Sequence, residues 1–196
     1  MTKQRRREPP SATSAAPPGY PSWLSRDVVL LDGQTVFVRP VLPADLDELR
    51  RAIAHADTAT VRSRFLGGRP PTRDEELARL VNLDYDRRLA VLALSSEDRG
   101  VGIARYEADS GADIAEVAVA VDPAWRHIGL ATALVRLLAA GAVRNGVLRF
   151  SADFFDANRD VHDLFADTGL GYQTTAAVAG VVTAEVILPT DPADLL

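Results

Sequence analysis

Val117-Ala118-Val119-Ala120-Val121-Asp122-Pro123-Ala124-Trp125-Arg126-His127-Ile128-Gly129-Leu130-Ala131 is the stretch that decides the fold. Its apolar opening is the end of a strand predicted over Ile114 to Val121. Asp122-Pro123 ends that strand, because proline has no N–H to give a ladder. Arg126-x-x-Gly129-x-Ala131 then leads into a helix predicted over Gly129 to Asn145, with Leu134, Leu137, Leu138 and Gly141 on one face. The first turn of a helix has free N–H groups and partial positive charge. Gly129 and Ala131 carry little side chain, so an anion can reach the backbone. Arg126 adds a fixed charge and Thr132 a hydroxyl. A strand, a turn and such a helix start form a pyrophosphate cradle by their own chemistry. A short motif of this kind also fits a plain tight turn, so its surroundings carry the decision.

Upstream, Asp32-Gly33 is a turn between Val28–Leu31 and Thr35–Val38. Pro43 opens a helix with Leu46, Leu49 and Ile53 at helical spacing. A second short helix is predicted from Thr58 to Phe65, and a third behind a capping box at Thr72-Arg73-Asp74-Glu75. Leu89–Leu94 and Val101–Tyr106 read as strands. Downstream come a short strand at Arg149–Asp153, a helix at Asn158–Thr168 with Val161, Leu164 and Phe165 inward, and strands at Tyr172–Val178 and Val181–Leu188. Hairpin strands feeding one strand–helix–strand unit predict an α/β fold with a mixed, mostly antiparallel sheet of six or seven strands flanked by helices. The predicted domain spans 23–190. Residues 1–22, rich in Pro, Ser and Ala behind a basic run, read as a disordered tail, and 191–196 as a short polar one.

Composition narrows the function. Apolar residues make up 47% and charged residues 25%, as in an ordinary globular domain. With 22 basic against 27 acidic residues the net charge of -5 does not suit a nucleic-acid binder. No apolar run reaches the roughly 18 residues of a membrane span, and no apolar segment follows the basic run as in a secretory signal. The absence of cysteine removes disulfides, thiolate metal sites and a cysteine nucleophile, and suits a reducing cytoplasm. His55, His127 and His162 lack ligand spacing, so no metal site is expected.

The cradle and the element order together resemble the GNAT superfamily of acyl-CoA N-acyltransferases, whose motif is Q/R-x-x-G-x-G/A after the fourth strand. The resemblance runs from about Val28 to Leu188. Leu31-Asp32-Gly33, Val38-Arg39-Pro40, Val81 to Asp86, Gly102 to Tyr106 and Ala115 to Val119 are similar to the catalytic domain of bacterial Pat-type protein lysine acetyltransferases. What this implies is transfer of an acetyl group from acetyl-CoA to an amine, a protein lysine first. A small-molecule amine is the alternative acceptor. A non-catalytic acyl-CoA sensor or partner subunit is the alternative of another class.

Glu116 stands in an otherwise apolar strand, where a carboxylate is costly unless it meets water, a partner or a substrate. The resemblance assigns it as general base, with partial burial tuning it. It also implies that Val119, Ala120 and Val121 run along the pantetheine arm. A bulge near Ala118–Ala120 would free their N–H groups, one of them for the thioester oxygen. Arg126, His127, Ile128, Gly129, Leu130, Ala131 and Thr132 hold the pyrophosphate. Asn158 reaches the pantetheine amides, although an N-cap role suits it equally. Two departures stand out. Phe165 occupies the position of a tyrosine acid, and Ile128 that of a usual cation. Asp84-Tyr85-Asp86 reads either as an acceptor entrance or as a solvated turn, and His162 as exposed. Pat-type relatives often carry a fused regulatory domain, and the short tail leaves no length for one, so any allosteric control is expected to come from a partner, from oligomerisation or from nothing at all.

Overall fold

The computed structural model describes residues 16–196. Residues 1–15 of the expected tail 1–22 lie outside them.

Eight strands form one sheet in the order β1-β2-β3-β4-β5-β6-β8-β7. They are β1 (Arg26–Val29), β2 (Thr35–Pro40), β3 (Arg88–Leu94), β4 (Gly100–Glu107), β5 (Ile114–Val121), β6 (Arg149–Phe155), β7 (Tyr172–Thr174) and β8 (Val181–Ile187). Six or seven were expected; the opening hairpin contributes two paired strands, β1 and β2, in place of one. Every neighbouring pair is antiparallel except β5–β6. That exception follows from the helix between them, which carries the chain back across the sheet.

This helix, α4 (Leu130–Arg144), buries Leu134, Leu137, Leu138 and Gly141 against β3, β4 and β5. Gly141 is required for close approach, since a Cβ there would lie 2.4 Å from Leu89 Cδ2. The core on this face includes Val91, Ala104, Tyr106, Val117 and Phe150. Helix α5 (Arg159–Asp167) joins it through Leu164 and Phe165. The opposite face is covered by α1 (Leu46–His55), α2 (Thr58–Arg64) and α3 (Asp74–Val81). A second, smaller core of Val41, Val81, Ala90, Leu92 and Leu94 lies there. Alternation along β3 explains its unbroken apolar run, because both of its faces are covered.

Several local expectations shift. Glu76 rather than Glu75 accepts the N–H groups of Thr72 and Arg73, so the capping box sits one residue later. Order begins before Trp23, since the Tyr20 hydroxyl donates to the Pro40 carbonyl at 3.2 Å and its ring meets Tyr85 edge-on. The polar C-terminus docks. Leu195 is buried, and Arg136 on α4 donates to the Asp194 carbonyl at 3.0 Å. The last two strands are also uneven. β7 stops at Thr174, and Val178 makes only an isolated bridge to Val181. No helix among the described residues is long and apolar enough to cross a membrane.

Candidate active site

The site begins where two strands part. β5 pairs with β6 only from Ile114 to Glu116, opposite Arg149 to Ser151. Beyond that point β5 continues to Val121 on β4, while β6 continues to Phe155 on β8. A cleft opens between them. The Asp122 N–H donates to the Val101 carbonyl, so even-numbered residues of β5 turn their main chain toward β4. Val119 and Val121 therefore turn theirs toward the cleft. Ala120, expected as a cofactor contact, pairs with Ile103 instead, and only its side chain is turned outward from the sheet.

The expected bulge near Ala118–Ala120 is not there. The β4–β5 register runs unbroken from Gly102↔Val121 to Glu107↔Glu116. The irregularity in this part of the sheet lies between Ala93 and Leu94. Divergence of β6 frees the N–H groups of β5 without any inserted residue.

Asp122 turns the chain by accepting the Ala124 N–H at 2.9 Å. His127 and Gly129 then both adopt positive φ, +59° and +84°. Histidine tolerates that region better than most residues, and backbone strain of this kind gathers at functional loops. Gly129 is the N-cap of α4 and offers no side-chain cap, so the first-turn N–H groups, including those of Ala131 and Thr132, are left for an external anion. His127 is exposed. Ile128 packs on the main core and its carbonyl accepts the Leu31 N–H at 3.0 Å. It anchors the loop to the β1–β2 turn. Leu130 is buried, so only its backbone faces the loop.

Arg126 reaches across the site. Its guanidinium donates to Thr60 Oγ1 at 2.6 Å and to the Val121 carbonyl at 3.3 Å, and lies 3.8 Å from Asp57. On the other wall Asn158 makes no cap at α5. Its amide donates to Ser63 Oγ at 2.8 Å. Helix α2 thus bridges the cleft, one hydroxyl on each of the two expected cofactor contacts. Arg62 of the same helix stacks 5.3 Å over Phe155.

Glu116 is exposed. The expected partial burial is absent, because the strand separation that begins beside it admits water. It is opposite Glu107 on β4 and Ser151 on β6. Arg64 and Arg105 both feel its charge. Burial pulls both guanidiniums below the ordinary arginine range, while Glu116 counteracts this. Composition gave no hint of Arg105. The signal was a lone charge alternating within an apolar strand, as for Glu116 itself.

Other readings resolve. Phe165 is buried between Phe154 and Tyr172, at ring distances of 6.1 and 5.6 Å. His162 is partly covered, edge-on to Phe154 at 5.0 Å, and is not on an open face. Asp84 accepts from Asp86 N–H, Arg88 N–H and Arg88 Nε, and the Tyr85 hydroxyl donates to Val41 at 2.9 Å. That segment is a structural turn.

A splayed parallel pair with an uncapped, glycine-led helix behind it is the arrangement that the resemblance to acyl-CoA N-acyltransferases implies. Residues 57–172 match the acetyltransferase (GNAT) family, and the chain belongs to that family of enzymes. It is 34% identical over 141 residues to an acetyltransferase of Pseudomonas aeruginosa, covering 70% of this chain and 76% of that one. Its fold matches the GNAT domain of PAT from S. lividans with a TM-score of 0.78 at 30% identity, over 86% of this chain and 99% of the other. It is also 29% identical to acetyltransferase Pat of Mycolicibacterium smegmatis, over 80% of this chain but 47% of that protein.

Proposed function

We propose that the protein moves the acetyl group of acetyl-CoA to a protein lysine side chain in the cytoplasm, with Glu116 as general base. The observation that carries this is the position of Glu116 at the fork where β5 and β6 separate. A carboxylate there meets the cleft that admits the thioester and remains open to water. The likeness to Pat domains supports lysine as acceptor.

Acetyl-CoA supplies the activated thioester. Glu116 takes a proton from the acceptor ammonium, directly or through a water, leaving a free amine. The amine nitrogen then bonds to the thioester carbonyl carbon, the carbon–sulfur bond breaks, and the surplus proton on nitrogen passes to water or to the departing thiolate. The Val119 N–H, turned into the cleft, is the donor for the carbonyl oxygen. Phe165 is buried and has no hydroxyl, so the chain offers no acid in that place. A thiol of pKa about 8–9 leaves adequately as the anion or with a proton from water. Arg126 and the N–H groups at Gly129 to Thr132 fit the pyrophosphate, and Asn158 the pantetheine amides.

Thiol release from acetyl-CoA should therefore require an amine acceptor, and lysine-bearing protein should gain the mass of one acetyl group per event. Thiol release that ignores every acceptor, with acetyl-CoA still raising the melting temperature, would indicate a sensor instead.

Helix α2 makes a further demand. Arg126 and Asn158 must leave Thr60 and Ser63 to reach the cofactor. Each exchanged hydrogen bond is worth about 0.5–1.5 kcal/mol. The double variant Thr60→Ala, Ser63→Ala should bind acetyl-CoA roughly tenfold more tightly by titration calorimetry. Weaker binding would show that the hydroxyls aim the two donors rather than compete for them.

A further inference from the structure

We propose that the acceptor carries a carboxylate close to its reactive amine, and that Arg64 and Arg105 recognise it. This rests on the acetyl-transfer reading and names the chemical class of acceptor within it. A cavity of about 230 Å³ lies between the sheet and the helices α1 to α3. Its walls are apolar, with Leu49, Ile53, Val61, Leu80 and Ile103 among them, and Ala118 and Ala120 of β5 form part of its floor. Five charged side chains with fixed sign line it as well: Asp45, Glu48, Asp122, Arg64 and Arg105.

The three acids are already engaged: Asp122 accepts the Ala124 N–H at 2.9 Å. Asp45 pairs with Arg39 at 2.6 Å and accepts the Leu42 N–H. Glu48 pairs with Arg51 at 2.6 Å and accepts the Gly100 N–H at 2.8 Å. The two arginines are not. Among the described residues Arg64 has no hydrogen bond or ion pair, and stacks only on its neighbour Phe65 at 5.3 Å. Arg105 has one long contact, 3.4 Å to Glu107, although its side chain is only 14% exposed. Partly buried guanidiniums without a full partner are costly, and five donors on each demand acceptors.

Register places them beside the base. Arg105 is opposite Ala118 and Glu107 opposite Glu116, so Arg105 and Glu116 share a sheet face as diagonal neighbours. An ammonium approaching Glu116 meets two cations on the way. A bare amine is repelled there. An amine whose own molecule holds a carboxylate within reach of the arginines brings each charge to its opposite, and Arg binds a carboxylate in a two-pronged fashion. That carboxylate can belong to an acidic residue following the lysine in a protein, or to a free amino acid.

The test uses two acceptor pairs: peptides with Lys-Glu against Lys-Gln, and Nα-acetyl-lysine against its C-terminal amide. The first pair tests the protein source and the second the free one. In at least one pair the carboxylate form should show about tenfold or higher kcat/KM, mostly through KM. Arg105→Gln and Arg64→Gln should each erase that preference while the melting temperature and acetyl-CoA affinity hold. Binding of the Nε-acetylated Lys-Glu and Lys-Gln products, by calorimetry, gives a readout free of turnover. If a lysine acceptor is acetylated but neither pair differs by more than twofold, the inference is overturned. If nothing is acetylated, the acetyl-transfer reading fails, and the product peptides decide this inference alone: equal binding overturns it, and a preference lost in Arg105→Gln sustains it.

Discussion

Glu116→Gln is expected to lower kcat/KM for the acceptor amine by about 10²-fold or more, the usual contribution of one positioned acid–base group. Glutamine keeps the size and polarity of the side chain but has no basic oxygen. Glu116 is exposed and the described structure gives it no hydrogen bond or ion pair. Its replacement therefore leaves the fold intact, and the melting temperature should stay within about 1–2 °C, because surface changes of this sort fall within about ±0.5 kcal/mol. Acetyl-CoA affinity should also hold, since the cradle at Gly129 begins 13 residues further on and lies beyond the strand. The loss should fall on the step after both substrates have bound. Single-turnover measurement with saturating acetyl-CoA isolates that step. An unchanged rate removes Glu116 as the base and turns attention to bulk water admitted by the splayed strands. A fall matched by an equal loss of acetyl-CoA binding assigns the residue to cofactor contact instead.

What the chain discloses before it folds is uneven, and the reasons are physical. β5 was readable to the residue, because an apolar run closed by Asp122-Pro123 leaves no other boundary. The long helix was readable too, since its apolar stripe repeats over four turns and both ends carry turn residues. The fork between β5 and β6 was not. It depends on β6 following β8 rather than β5, and pairing partners distant in sequence leave no local mark. The same holds for the missing bulge. A bulge and a divergence both free N–H groups, and only the register tells them apart. Arg126 and Asn158 were picked out by type and spacing, but Thr60 and Ser63 were invisible as their partners, being ordinary hydroxyls 66 and 95 residues away. Leu195 shows the same limit: one buried leucine inside a polar end looks like any loose tail.

Gly129→Val is the second large expectation: a loss of acetyl-CoA affinity of about 10²-fold or more. Two separate effects combine. Gly129 has φ +84°, a region that costs an L-residue about 1–2 kcal/mol and a β-branched one more. A Cβ there would also lie 3.2 Å from Leu31 Cγ, on the turn that already receives the Ile128 carbonyl. The loop must shift to relieve either. A shift turns the first-turn N–H groups of α4 away from the anion, and each hydrogen bond to a charged group is worth about 1.5–3 kcal/mol. Losing one or two accounts for the expected factor, at 1.4 kcal/mol per tenfold. The two effects separate experimentally. Leu31 is 85% exposed, so Leu31→Ala costs the fold little and removes the crowding. Added to Gly129→Ala, it should recover little affinity if the backbone conformation dominates, and most of it if crowding does. Unaltered acetyl-CoA binding in Gly129→Val would mean that the pyrophosphate does not sit on this helix start, and the proposed mode of binding would fail with it.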